Sequence, residues 1–501
     1  MSAAVVTSFR VPPRTGRGGG GLRGRIAAGV LVLLLAACAG TPPQGPAAVD
    51  LPEAWRAPLP HGGSVTALAG WWRAFADPRL AALIERAQAA NPDLQAAAAR
   101  HRQARAWVRE ARAALLPRLD ASATASRGRN LDNVPGASAQ SDTRLEASWE
   151  IDLFSARRAA ADEQAAQAEA TRHDWHAARV TLAADVAAAY VDLRLAQARE
   201  EVAELDARLA ARLADWGRQQ QAAGLASASD VARLQAEAAQ AAARRSVEHA
   251  EAEVALQALA LLLGVPAATL AAELQAPPLP ADDGLPRRAL PEVPPFAVET
   301  LPARLLGQRP DVAAAHQRWL AAVARQRSVD AERYPQLSFG ALAGQARVSV
   351  GGQTAVSSLW SIGPSLSLPL FDGGARRARN EAALAAIDEA AATLQAKWQA
   401  AVAEVEEALE RVQATRERRH AAAGQAQAWQ GIARRTERQA QAGLSSGPQR
   451  LAAWRDALAA YDEQLAAQAA HAQAWIGLYR SLGGGWQAEA AVVAGAGEGQ
   501  R

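Results

Sequence analysis

One cysteine, Cys38, and one methionine stand in 501 residues, aromatic side chains make up only 5% of the chain, and the formal charge is +3. A single cysteine excludes an intramolecular disulfide framework and any cysteine-based zinc or iron–sulfur site. Near-balanced charge excludes a polybasic nucleic-acid binder. Five arginines (Arg10, Arg14, Arg17, Arg23, Arg25) and no acid fall in the first 37 residues, so a chain without that leader carries a net −2. Beyond the leader no segment offers 18 consecutive strongly apolar residues, which excludes an ordinary transmembrane helix. What the sequence does have is hydrophobic bulk, 50% of all residues, much of it alanine, which suits a long and heavily helical chain.

The leader reads as an address. An arginine-bearing stretch ends at Arg25 and gives way to an apolar run at 26–37, of signal-peptide length. Leu35, Ala36 and Ala37 then precede Cys38, which is similar to the lipobox of bacterial lipoproteins; a plain secretory peptide is the alternative. Acyl chains contribute about 0.8 kcal/mol per buried CH₂, so two or three of them hold a protein to a membrane without a spanning helix. Ala39 in place of aspartate favours, by the same resemblance, sorting to the outer membrane. Residues 38–70 read as lipid anchor and tether, rich in Pro, Gly and Ala.

The mature chain is one unit written twice. Pro92-Asp93 matches Pro310-Asp311 and Pro117 matches Pro335 at an offset of 218. Phe154 matches Phe371 at 217, while Gly224-Leu225 matches Gly443-Leu444 and Leu263-Gly264 matches Leu482-Gly483 at 219. The repeats span 71–276 and 310–482, with a Pro-rich connector at 277–309 and a tail at 483–501. In each repeat the second half is helical, with apolar residues at three-four spacing such as Ile387, Leu394, Val405, Leu409 and Val412. A proline-free run at 156–223 and its counterpart at 375–442 end at Gly224 and Gly443, so long hairpins are expected over 156–263 and 375–482. Ahead of each hairpin the period changes to two. Leu145, Ala147, Trp149, Ile151 and Leu153 alternate with Arg144, Glu146, Ser148, Glu150 and Asp152. Strands are expected near 117–127, 143–154, 335–348 and 358–371, each with one apolar and one polar face. Such strands fit either a transmembrane barrel with a wet lumen or a half-buried soluble sheet. Four strands cannot close a barrel around water, so a membrane-spanning reading requires oligomerisation.

These residues resemble the outer membrane efflux proteins, the TolC-like channels, and within them the lipid-anchored NodT-type group. The resemblance rests on Trp71-Trp72 with Phe75 and Asp77-Pro78, on Asn91-Pro92-Asp93-Leu94, and on Trp149-Glu150-Ile151-Asp152-Leu153-Phe154. It extends to Arg309-Pro310-Asp311-Val312, Tyr334-Pro335, Pro369-Leu370-Phe371-Asp372-Gly373-Gly374 and Gly483-Gly484-Gly485-Trp486. It implies a mainly helical chain contributing four strands to a homotrimeric 12-stranded β-barrel in the outer membrane, continued into the periplasm by an α-helical tunnel. It further implies a passive exit duct without enzymatic chemistry, metal or cofactor. The implied partners are a periplasmic adaptor (membrane fusion) protein, an inner membrane resistance-nodulation-division pump and outer membrane lipid. A type I secretion duct and a lipid-anchored adaptor or scaffold are the alternatives. By the same resemblance Gly224, Leu225 and Ser227, with Gly443, Leu444 and Ser446, form the periplasmic tips where the adaptor docks. Asp230 lies where the family's first repeat carries an aspartate near the aperture, and it is equally an ordinary acid of a helix's first turn. In the second repeat Gln449, Arg450 and Ala452 replace the family's aspartate ring, leaving Arg450 and Arg455 as aperture candidates.

Motif matches elsewhere lack their context. Gly16, Gly18 and Gly21 follow no strand, and Gly443-Leu444-Ser445-Ser446-Gly447 follows a helix where a hydrolase elbow needs a strand. His173 and His176, one helical turn apart, read as helix-surface or inter-helix residues.

Overall fold

A computed structural model describes residues 71–73, 75, 77–129, 137–274, 290–296, 309–350 and 353–484. The elements run α1 (Pro78–Ala90), α2 (Pro92–Ala113), β1 (Arg118–Arg129), β2 (Ala137–Ile151), α3 (Ala156–Ala222), α4 (Ala228–Leu263) and α5 (Ala267–Leu274). They continue α6 (Pro310–Ala331), β3 (Gln336–Val350), β4 (Gln353–Ser367), α7 (Ala375–Gln441) and α8 (Gly447–Ser481). Setting α1 and α5 aside, the order helix, strand, strand, long helix, helix occurs twice. α3 and α7 have 67 residues each, about 100 Å of helix at 1.5 Å per residue. No single described helix is long and apolar enough to cross a membrane.

The duplication extends to individual hydrogen bonds. Asn91 begins α2 by capping it, accepting from the Asp93 and Leu94 N–H groups, and its Nδ2 donates to the Leu262 carbonyl at 3.2 Å. Arg309 begins α6, and its guanidinium donates to the Ser481 carbonyl at 2.8 Å, 219 residues after Leu262. In both repeats a polar side chain at a helix start thus satisfies a carbonyl in the last turn of the descending hairpin helix, where no intrahelical donor remains. Arg309 is buried and is neutralised by Asp311 and Glu404, at 2.8 and 2.7 Å.

The long helices pack through a seam of small residues. Ala183, Val186, Ala187, Tyr190 and Val191 of α3 lie in one core with Leu259 and Leu263 of α4, Val405 and Leu409 of α7, and Leu458 and Leu465 of α8. Alanine at so many of these positions lets the backbones approach closely, as a sustained coiled-coil interface requires. An aromatic cluster closes the core near the end of α8. Trp71 stacks on Tyr479 with ring centroids 5.3 Å apart, meets Phe296 edge-on at 5.0 Å, and donates from its indole N–H to the Pro294 carbonyl at 2.9 Å. Asp77 caps α1 and accepts from the Tyr190 hydroxyl, which in turn receives two hydrogen bonds from Arg194, at 3.0 and 2.9 Å.

The four strands form one antiparallel sheet in the order β1-β2-β3-β4. The β2–β3 pairing joins the two repeats, with Leu145 opposite Ala343 and Trp149 opposite Phe339. Gly344 permits this pairing, since a Cβ there would sit 2.4 Å from the Thr143 carbonyl oxygen. Cross-strand partners share a face, so Leu119, Leu145, Trp149, Phe339, Trp360, Ile362 and Leu366 form one apolar surface; all are exposed, Trp360 by 78%. The opposite face carries Asp120, Ser122, Arg144, Glu146, Ser148, Ser361 and Ser365. β4 stops at Ser367 although the apolar alternation continues through Leu368 and Leu370, because Pro369 has no N–H to donate to a ladder.

Candidate functional site

Two features can do something beyond holding the fold: the turns that reverse the hairpins, and the polar contacts that hold one hairpin against the other. The turns are copies of each other. At the end of α3 the Gly224 N–H donates to the Gln221 carbonyl at 2.9 Å and the Leu225 N–H to that of Gln220 at 2.8 Å. At the end of α7 Gly443 donates to Ala440 at 3.1 Å and Leu444 to Gln439 at 2.7 Å. This pattern requires a left-handed residue, and the two glycines supply it with φ of +73° and +74°. Nothing lies within 4 Å of where a Cβ would stand on either, so both turns present bare backbone to the exterior. Leu225 and Leu444 project beside them, 74% and 79% exposed.

The next helix starts in the same way at both turns. Ser227 caps α4 by accepting from the Asp230 N–H at 3.1 Å, while the Asp230 carboxylate accepts from the Ser227 hydroxyl at 2.6 Å and backbone N–H at 3.4 Å. Ser446 caps α8 by accepting from the Gln449 N–H at 3.4 Å, and Gln449 Oε1 accepts in return from the Ser446 N–H at 2.9 Å. These are capping boxes, with an ionised acid in the first repeat and a neutral amide in the second. Hydrogen bonds from Ser227 hold the Asp230 carboxyl below its ordinary range.

Of the other aperture candidates, Arg450 stays within its own hairpin. It pairs with Glu437 of α7 at 3.1 Å, and Glu437 also accepts from the Trp454 indole at 3.2 Å. Arg455 crosses between hairpins. From α8 its Nε donates to Asp206 of α3 at 2.7 Å and its Nη1 to Glu237 of α4 at 3.2 Å. The hydrogen bond to Asp206 is the main reason its guanidinium is held above its ordinary range, with burial opposing. Cys38 lies outside the described residues.

A second layer with the charges exchanged was not foreseen from the sequence. Asp462 of α8, buried, accepts from Arg199 of α3 at 3.1 Å and from Arg244 of α4 at 2.9 Å. The layers are one heptad apart on all three helices: 455 and 462, 206 and 199, 237 and 244. In one layer a cation on α8 is held by two acids; in the other an acid is held by two arginines. The sequence signal was available as oppositely charged residues seven apart within apolar seams, the spacing that brings both onto one helix face. Together the turns offer an exposed pair of small-residue surfaces, and the two layers fix how far apart the hairpins stand above them.

Comparison with known proteins places this geometry. Residues 83–265 and 301–484 match the family model described as outer membrane efflux protein. The pyoverdine export outer membrane protein OpmQ of Pseudomonas aeruginosa is 30% identical over 471 residues, covering 91% of this chain and 96% of that protein. Nodulation protein T of Rhizobium leguminosarum bv. viciae is 28% identical over 391 residues, covering 77% and 78%. Among solved structures, the outer-membrane channel OprN superposes with a TM-score of 0.72 at 30% identity, covering 89% of this chain and all of that one.

Proposed function

The chain belongs to the outer membrane efflux protein family, and from that premise we propose that it acts as the passive exit duct of a tripartite pump. It is an outer membrane efflux channel. In the assembly proposed, three copies complete a 12-stranded barrel and a helical tunnel. A periplasmic adaptor docks at the tips formed by Gly224, Leu225 and Ser227 and by Gly443, Leu444 and Ser446. An inner membrane transporter of the resistance-nodulation-division type supplies the energy and selects the cargo. The duct itself makes and breaks no covalent bonds.

The observation that carries this reading is the sheet. Its apolar face is uncovered, and β1 and β4 each present one unpaired backbone edge. An apolar surface of that extent is stable against lipid, and lipid tolerates no open strand edge, so the edges must close on other copies. The polar face then lines a wet lumen. Asp230 at the tip, with Arg450 and Arg455 above it, are the residues proposed to set the aperture. The Arg455 and Asp462 layers join α8 to α3 and α4, so an opening that moved one hairpin away from the other would have to break them. Cys38 is proposed to carry the acyl anchor.

Fractionation of the full chain expressed in a Gram-negative host, beside Cys38→Ser, tests this. The wild type is expected in the outer membrane with a lipidated N-terminus, and the variant without acylation but still able to insert. A periplasmic, soluble product from both would refute the assignment.

A further inference from the structure

The two faces of the sheet carry their charges differently. Register puts Arg118, Asp120, Asp142, Arg144, Glu146 and Glu150 on the polar face, where Arg118 pairs with Asp120 at 2.7 Å and Arg144 with Asp142 at 2.9 Å. On the apolar face the paired residues of the four strands include three charges, Arg127, Arg129 and Arg347, all exposed, and no acid. All three arginines stand at the end of the sheet away from the helices. Arg129 is the last residue of β1, and Arg347 precedes the end of β3 at Val350. Arg127 lies opposite Ala139, which in turn faces Ser349, so it stands one row of this face beyond Arg347.

We propose that Arg127, Arg129 and Arg347 bind the phosphates of a phosphorylated glycolipid in the outer leaflet of the membrane, with its acyl chains lying along the apolar face below them. The inference rests on the outer membrane reading above and adds to it a lipid site, its residues and the headgroup chemistry they select.

Height on the sheet places the arginines at a leaflet boundary. β3 runs ten residues from Leu337 to Arg347, about 34 Å of strand and about 26 Å of depth at a tilt of about 40°, which matches the apolar band of about 25 Å that a barrel presents to lipid. The helices join the sheet at the other end of that band, so with the helices in the periplasm the arginines face the outer leaflet. The two edges of the band also differ in chemistry. The helix-side edge carries Trp149 opposite Phe339, aromatic and uncharged, whereas the paired residues of the far edge include arginine and no aromatic. A cation facing lipid is costly within the band and tolerated only where headgroups supply a counter-charge, and no acid of the same face supplies one here. Guanidinium forks meet phosphate oxygens with two parallel hydrogen bonds. Successive rows of the face differ in depth by about 5 Å, so Arg347, Arg127 and Arg129 form three levels. A glycolipid headgroup with two phosphates can engage more than one level at once; a phospholipid with a single phosphate engages one.

The test reconstitutes the full chain in phosphatidylcholine nanodiscs and then titrates the detergent-solubilised protein with lipid A bearing two phosphates, counting bound lipid by native mass spectrometry. Combining Arg127→Gln, Arg129→Gln and Arg347→Gln should weaken binding at least tenfold, and Arg127→Gln or Arg347→Gln alone at least threefold, while Arg118→Gln on the polar face should leave it unchanged. Enzymatically dephosphorylated lipid A and phosphatidylglycerol should each bind the wild type at least tenfold more weakly, a comparison that stands even where the triple variant fails to insert. Equal binding of the dephosphorylated lipid, or by the arginine variants, would show that acyl chains on the apolar face hold the lipid and overturn the site. Equal binding of phosphatidylglycerol would overturn the selection of a glycolipid. A wild type that enters no nanodisc overturns the membrane reading itself, which the other outcomes leave standing.

Discussion

Replacing Asp462 by asparagine tests whether the two hairpins are held by their ionic layers. The carboxylate is 12% exposed and its partners Arg199 and Arg244 are 33% and 45% exposed. Truncating one member of a fully buried pair costs roughly 3–5 kcal/mol, and of a surface pair about 0.2–1 kcal/mol. This site lies between those limits, and asparagine keeps one acceptor, so a local loss of about 1–2 kcal/mol is expected. That corresponds to a five- to thirty-fold faster opening, at about 1.4 kcal/mol per factor of ten. Hydrogen exchange of the detergent-extracted protein reads it directly, in peptides covering 455–465 of α8 and their neighbours on α3 and α4. A cycle with Arg199→Gln should return a coupling of about 1 kcal/mol, because the two side chains share one contact. Exchange within twofold of wild type, with additive single substitutions, would show that apolar packing alone holds the hairpins together.

Further outcomes follow from single sites. Burial, with Arg419 and Arg416 nearby, pushes His471 down to about 4, and the neutral ring accepts from the Trp475 indole at 3.1 Å. Its folded value lies below the ordinary 6.5, so its contribution is complete above pH 6.5 and is lost as pH falls toward 4. Exchange near 471 should therefore quicken over that window in the wild type and much less in His471→Gln. Gly344→Ala drives a methyl group against the Thr143 carbonyl and should cost about 1–3 kcal/mol or block assembly, whereas Gly340→Ala, with nothing within 4 Å, should not; the yield of inserted protein compares them. Ser446→Ala removes the cap of α8 and should loosen its first turn by about 1 kcal/mol, visible as faster exchange at Gln449 and Arg450.

Much of this architecture was legible because it depends on periodicity. The coincidence of Pro92 with Pro310 and of Gly224 with Gly443 revealed the repeat. The change from three-four spacing to strict alternation separated helices from strands. The turn glycines were legible because a hairpin of long helices has to end in a left-handed residue, and in both copies one stands there. The β2–β3 pairing was not, since it joins residues about 200 positions apart and no local pattern encodes which strand neighbours which. The Asp462 layer also escaped the sequence reading. Opposite charges stand seven apart on each of the three helices, but no local pattern says which helix faces meet, so only the folded bundle brings Arg199 and Arg244 to Asp462. Asp230 illustrates a residue read in two ways from the sequence: the structure shows it in the first turn of α4, closing the capping box with Ser227, and its place at the aperture stays a proposal.

Three copies of this chain are proposed to enclose one continuous duct. Electron cryomicroscopy of the full-length protein in lipid nanodiscs, viewed along the membrane normal, tests it most directly. The expected image is a threefold ring of twelve strands opening into a helical tunnel that narrows at the turns of Gly224 and Gly443. A particle without threefold symmetry, or one whose strands form a sheet with no lumen, would contradict it.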